Sequence, residues 1–238
     1  MSLKLHGFPL STCTRRVAVV AKEKNVPYEL VVVDLLKGEQ KSAAFLAKQP
    51  FGQVPYIDDE GFELFESRAI SRYIATKWAD QGTPLIPADL KAQSLFEQAA
   101  SIEQNDFDIF ASGYCAEKVF NPRKGIPTNE ERAAWLLKTL EAKLDVYDQI
   151  LGKQKYLAGN VRPLTSFAYH ILIMAVCARR LQEITLADLF HLPYGALLIQ
   201  LGQDLFSPRP NVSRLVAAQM LSSGLIVDWI VSNFKVVE

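Results

Sequence analysis

A chain of 238 residues is long enough for one or two domains, and 49% hydrophobic with 22% charged residues is the composition of an ordinary soluble globular protein. Lys+Arg and Asp+Glu both number 26, so the formal charge is zero, and no electrostatic footprint for nucleic acid or an anionic membrane is visible. Cys13, Cys115 and Cys177 make neither a disulfide framework nor a metal-ligand spacing, the N-terminus lacks a signal peptide's apolar core, and the longest apolar run (171–178) is too short to span a bilayer, so the expectation is a cytoplasmic protein without a metal.

In chain order, residues 3–6 read as a strand and Thr12–Lys24 as a helix with Val17, Val20 and Ala21 on one face. The β-branched run from Tyr28 to Val33 reads as a buried strand, and Lys41–Lys48 as a short helix. Val54–Asp58 and Phe62–Phe65 form an expected hairpin around Asp59-Glu60-Gly61. Ser67–Ala79 is helical, with Ile70, Tyr73, Ile74 and Trp78 on one side. This β-α-β-α-β-β-α order fits a small mixed sheet covered by helices, here residues 1–80.

Residues 81–90 hold a glycine, two prolines and polar residues and read as a linker. Residues 91–238 then follow a helical pattern, with Leu137, Leu140, Leu144, Tyr147 and Leu151 as one stripe. At 184–189, Thr185 reads as an N-cap, Asp188 as the residue reaching back to it, and Ile184 with Leu189 as a hydrophobic staple. The fold class expected is an α/β N-terminal domain followed by an all-α domain.

The most informative stretch is 50–67, Pro-Phe-Gly-Gln-Val-Pro-Tyr-Ile-Asp-Asp-Glu-Gly-Phe-Glu-Leu-Phe-Glu-Ser. Val54-Pro55 offers extended backbone whose proline has no N–H to give to a sheet, so the polar groups of Val54 can pair with an extended ligand. Ser67 stands where a helix N-terminus presents N–H groups to an anion. Together they describe a site for a small peptide carrying a carboxylate. Ser11 reads as a helix N-cap, and that position also points its hydroxyl at the helix entrance, where it can donate to a bound thiolate. No Gly-x-Ser-x-Gly elbow accompanies it, and His6, His170 and His191 carry no triad signature; His191, beside Leu192 and Pro193, reads as a packed structural histidine. Cys13, without a Cys-x-x-Cys partner, reads as a small buried residue rather than a rival nucleophile.

Pro9-Leu-Ser-Thr-Cys-Thr-Arg-Arg-Val17, Gln40-Lys41, Gly52-Gln-Val-Pro55 and Glu66-Ser-Arg-Ala-Ile70, in this order and spacing, resemble the glutathione transferase family, and most of all its phi-type, serine-using members. The resemblance covers residues 3–160 and 183–214. It implies a thioredoxin-like domain plus an all-helical domain, and conjugation of the glutathione thiolate to hydrophobic electrophiles with Ser11 activating the thiol. It also implies a cis Val54-Pro55 bond. Gln53, Val54 and Pro55 would meet the cysteinyl unit, Glu66 and Ser67 the γ-glutamyl end, and Gln40 and Lys41 the glycyl carboxylate. Phe107, Phe110 and Tyr114, which helical spacing alone assigns to a core, could on this analogy line the acceptor pocket. Glutathione would be co-substrate, with no cofactor, and the protein a homodimer.

The chain departs from the family pattern twice. Lys155-Tyr-Leu-Ala-Gly-Asn160 should lead almost directly into Glu183-Ile-Thr-Leu-Ala-Asp188, so residues 161–182 read as an insertion. The tail from Leu215 is also atypical. Both lie in the helical domain, away from the motifs for glutathione. The alternative function is therefore a ligandin-like carrier that binds glutathione with little or no turnover.

Overall fold

A computed structural model of the chain describes residues 3–159 and 184–222. The insertion expected at 161–182, and the part of the atypical tail beyond 222, lie outside the described residues. The rest falls into two compact units, one ending at Ile86 and one starting at Pro87.

In the first unit the elements are β1 (Leu3–Gly7), α1 (Thr12–Glu23), β2 (Tyr28–Val32), α2 (Ala43–Leu46), β3 (Tyr56–Asp59), β4 (Phe62–Phe65) and α3 (Ser67–Lys77). The strand order is β2-β1-β3-β4, with β1 and β2 parallel and the other pairs antiparallel. Leu5 stands opposite both Leu30 and Ile57, and Ile57 opposite Leu64. Strand alternation sends Leu3, Leu5 and Ile57 to one face, and they join Val17, Val20, Ile70 and Ile74 of the packed helices α1 and α3 in the core. On the other face His6 stacks on Tyr56 with ring centroids 4.2 Å apart, beside a smaller cluster of Val33, Phe45 and Tyr56.

Two local expectations change. The run from Tyr28 was expected to be a buried strand, but β2 is an edge strand, with Leu30 37% and Val32 55% exposed. A β-branched run signals a strand without saying how many neighbours it has. The helix expected over 41–48 is shorter: a 3₁₀ turn at Glu39–Lys41 comes first, and Ser42 then adopts an extended backbone and caps α2 by accepting from Phe45 N at 3.3 Å.

The first unit ends in a clasp. Lys24 caps α1 and is fully buried; its Nζ donates to Thr83 O at 2.9 Å, while Gln81 Nε2 donates to Lys24 O at 2.8 Å. Gly82 (φ +62°) lies so close that a Cβ there would come within 2.4 Å of Glu23 O. At the end of β3, Asp59 is buried and receives Tyr73 Oη and Lys77 Nζ from α3. Burial works to raise its pKa, but those two hydrogen bonds outweigh it and hold the carboxyl below the usual carboxylate range.

The second unit contains α4 (Leu90–Ile102), α5 (Ile109–Cys115), α6 (Asn121–Arg123), α7 (Glu130–Leu151), α8 (Leu186–Phe190), α9 (Leu192–Gln200) and α10 (Pro210–Ser222). π-Helical segments at Glu103–Asp108 and Ala116–Phe120 run on from α4 and α5. The buried stripe of α7 is Ala133, Leu136, Leu140, Leu144, Tyr147 and Leu151. The expected Leu137 sits one residue off it and is half-buried, because position 136, not 137, continues the four-residue step back from Leu140. At α8 the Asp188 carboxylate accepts from Thr185 N at 2.8 Å, Thr185 Oγ1 at 3.0 Å and Leu157 N at 3.4 Å. Ile184 and Leu189 are both buried there. Cys115 in α5 is fully buried; burial first, and the charge of Asp108 second, push its thiol up to about 12.

Candidate functional site

The β1–α1 junction is tied down by the first turn of α1. Gly7 leaves space that a side chain would take from Thr14, whose Cγ2 lies 2.5 Å from where a Cβ would stand. Phe8 N donates to Thr14 Oγ1 at 3.3 Å, and Arg15 Nε donates to Pro9 O at 2.6 Å. Ser11 is held between them as the N-cap of α1, half-buried, with its Oγ accepting from Thr14 N at 3.3 Å. Because that bond uses a lone pair, the hydroxyl proton remains available to donate. Cys13, two residues on and half-buried, lies with its Sγ 3.7 Å from Arg16 Nη1.

The segment before β3 folds back on itself. Gly52 has φ +61°, and a Cβ there would lie 2.8 Å from Gln40 O, so only glycine lets the chain pass the 39–41 turn this closely. Lys41 is exposed and donates to Phe51 O at 3.0 Å. Gln40 is half-buried, and its Oε1 is buried without a hydrogen-bond partner among the described residues. Gln53 is exposed at its side chain, while its backbone N donates to Oε1 of the buried Gln49 at 3.1 Å. The Val54–Pro55 bond is cis. Pairing with β1 and β4 starts at Tyr56, so the backbone of Val54 lies outside the ladder. Its side chain packs on the Val33–Phe45–Tyr56 cluster, which anchors this turn to the sheet.

The β4–α3 junction turns on Glu66, a non-glycine residue at φ +73°, ψ 106°. That conformation costs of order 1–3 kcal/mol and is found where the surroundings over-determine it. It sets Ser67 at the first position of α3, 7% exposed. The Ser67 hydroxyl accepts from Arg16 Nη1 at 3.0 Å, and its carbonyl accepts from Ser71 Oγ at 2.7 Å. α1 has no acidic residue in its first turn or at its cap, so its positive end is left uncompensated, which suits an anionic group; α3 has none in its first turn, though its N-cap is Glu66.

Ser11, Gln40, Lys41, Gln53, Val54, Pro55, Glu66 and Ser67 thus all belong to the first unit, on its loop and helix-start positions. Phe107, Phe110 and Tyr114 belong to the second. There Phe107 is buried 4.8 Å from the His191 ring, Tyr114 is buried, and Phe110 is half-buried edge-on to Trp135. His191 is packed as expected of a structural histidine, its Nδ1 2.7 Å from Ala187 O and its Nε2 3.2 Å from Tyr147 Oη. Two residues that hold the site went unread in the sequence. Gln49 had only its polarity as a signal, and Arg16, though part of the Pro9–Val17 motif, offered no sign of its partner. Among the described residues no group of His, Cys, Asp or Glu could hold a metal ion, and no helix is long and apolar enough to cross a membrane.

Residues 1–76 match the family described as glutathione S-transferase, N-terminal domain. The chain is 45% identical over 224 residues to glutathione S-transferase PM239X14 of Arabidopsis thaliana, covering 92% of each protein. It is 40% identical to glutathione S-transferase hmp2 of Hypomyces subiculosus over 90% of this chain and 91% of that one. Among solved structures, glutathione transferase F7 from Populus trichocarpa superposes with a TM-score of 0.81 at 32% identity, over 98% of this chain and 99% of that one. Glutathione S-transferase I from maize, solved with an atrazine–glutathione conjugate, superposes with a TM-score of 0.80 at 25% identity, over 100% of both chains.

Proposed function

The chain belongs to the glutathione S-transferase family, and from that premise we propose that its Ser11 hydroxyl stabilises the thiolate of bound glutathione for attack on a hydrophobic electrophile. The protein is a glutathione transferase of the phi type, built from a thioredoxin-like domain and a helical region, with glutathione as co-substrate and no separate cofactor. The observation that carries the Ser11 assignment is its capping geometry: Oγ accepts from Thr14 N and keeps its proton free at the uncompensated start of α1. The nucleophile is the sulfur of glutathione, not the serine. In the proposed pose Val54 pairs through its backbone with the cysteinyl unit beside Gln53 and Pro55. Glu66 meets the ammonium and Ser67 the carboxylate of the γ-glutamyl end, and Gln40 and Lys41 lie toward the glycyl carboxylate. Phe107, Phe110 and Tyr114 are proposed for the acceptor side. The reaction class fits detoxification in the cytoplasm.

Conjugation of glutathione to a generic aromatic electrophile, assayed alongside retention on immobilised glutathione, tests the activity. Turnover with retention supports the enzyme, and retention without turnover would make the protein a carrier. Ser67→Ala is expected to weaken glutathione binding by roughly 1–3 kcal/mol, the cost of leaving a charged group without its partner. Calorimetry that finds unaltered affinity removes Ser67 from the site. We also propose a homodimer; light scattering that reports only monomer at micromolar concentration refutes it.

A further inference from the structure

We infer that Arg16 is a positioning residue that aims the Ser67 hydroxyl at the γ-glutamyl carboxylate of glutathione. This rests on the reading of Ser67 as the group that binds that carboxylate.

Arg16 sits one turn into α1 and is 1% exposed, among the largest fully buried side chains of the described residues. A guanidinium carries donors and no acceptor, so in its 3.0 Å contact with Ser67 the hydroxyl oxygen must accept. A serine hydroxyl has one proton. With one lone pair committed to a cation behind it, that proton points elsewhere and becomes a better donor, because a charge-assisted bond polarises the O–H. The serine is pinned from the other side too, since its carbonyl accepts from Ser71 Oγ at 2.7 Å. Strained backbone at Glu66 sets the residue at the start of α3. The carbonyl and one hydroxyl lone pair are therefore committed within the protein, and the hydroxyl proton is left to meet a ligand. A carboxylate is the partner that needs such a donor, and α3 offers it helix N–H groups at the same place.

The bond also has a geometric effect. Arg16 and Ser67 are 51 residues apart in the chain, and their contact ties the helix that carries Ser11 to the helix that carries Ser67. A lysine would supply charge without the planar fork that holds one fixed direction. A plain structural tie would stabilise the fold equally with or without ligand. A positioning role makes the benefit depend on the ligand's γ-glutamyl carboxylate, and the two can be separated.

The experiment is a double-mutant cycle on the full chain, read by calorimetry with glutathione and with cysteinylglycine, which lacks the γ-glutamyl unit. Arg16→Met should weaken glutathione binding roughly 3- to 10-fold. Added to Ser67→Ala it should weaken binding no further, and cysteinylglycine should bind wild type and Arg16→Met alike. Additive losses in the double variant, or an equal loss for cysteinylglycine, overturn the positioning role and leave the Ser67 reading standing. An undiminished glutathione affinity in Ser67→Ala overturns that reading and the inference with it. Should Arg16→Met fail to fold, the guanidinium nitrogen signal of Arg16 in the wild-type protein serves instead. It should shift on titration with glutathione and stay in place with cysteinylglycine; no shift, or the same shift with both, overturns the inference.

Discussion

Replacing Ser11 by alanine is expected to cut turnover near neutral pH by roughly 10- to 100-fold and to raise the ionisation of the bound thiol by about one to two pH units. A free thiol ionises near 8.5, so only a few per cent is thiolate at pH 7. Each unit of depression requires about 1.4 kcal/mol of preference for the charged form. One charge-assisted hydrogen bond, together with a helix N-terminus, supplies about that much for one or two units. The donor is at hand because Ser11 Oγ already accepts from Thr14 N and has its proton to spend on the ligand. Removing it leaves the dipole and the binding contacts in place, so affinity should change little. The sign of the pH effect follows: the variant's thiol ionises at higher pH, so the rate deficit is largest below the wild-type ionisation and closes as pH rises past the variant's own. A spectroscopic titration of bound thiolate and a pH–rate profile measure both. An unchanged rate and profile would falsify the role. Loss of the α1 cap also costs about 1 kcal/mol of stability, so the comparison belongs well below the variant's melting range.

Asp188→Ala should destabilise the helical region by about 3–5 kcal/mol. The carboxylate is fully buried, and removing it strands Thr185 N–H, the Thr185 hydroxyl and Leu157 N–H together. Burial pushes the Asp188 pKa up; the hydrogen bonds from Thr185 and Leu157 and the charge of His191 work against that rise. The bond to Leu157 also makes the residue more than a helix cap, because it joins the start of α8 to the segment that follows α7. Thr185→Ala should cost less, since the carboxylate keeps both backbone donors. A denaturant titration that puts the Asp188→Ala loss below about 1 kcal/mol would show that water or a neighbour replaces the carboxylate without penalty.

What the sequence revealed, and what it hid, follows the distance over which each feature is determined. Ser11 as a cap and Thr185 with Asp188 as a helix start are settled within four residues, and both were legible. The hairpin at Asp59–Glu60–Gly61 was legible for the same reason. Ser42 was misjudged locally: it stops a helix whose composition alone continues it. The exposure of β2 was hidden, because the order β2-β1-β3-β4 depends on how the whole sheet assembles. Arg16 shows the limit most clearly. Within α1 it looks like any arginine on a helix, and its meaning comes from a hydroxyl on α3. Gln49 is similar on a smaller scale, since its buried amide matters through the backbone of Gln53.

A glutathione transferase that, as proposed, brings electrophiles to an activated thiol runs the hazard of alkylating its own cysteines. Alkylation proceeds through thiolate. Burial first, and the charge of Asp108 second, push the Cys115 thiol up to about 12, so thiolate is scarce there near neutral pH. The closed packing of α5 also denies that rare anion a reaction partner. The packing of the helices around Cys115 thus guards that position against alkylation.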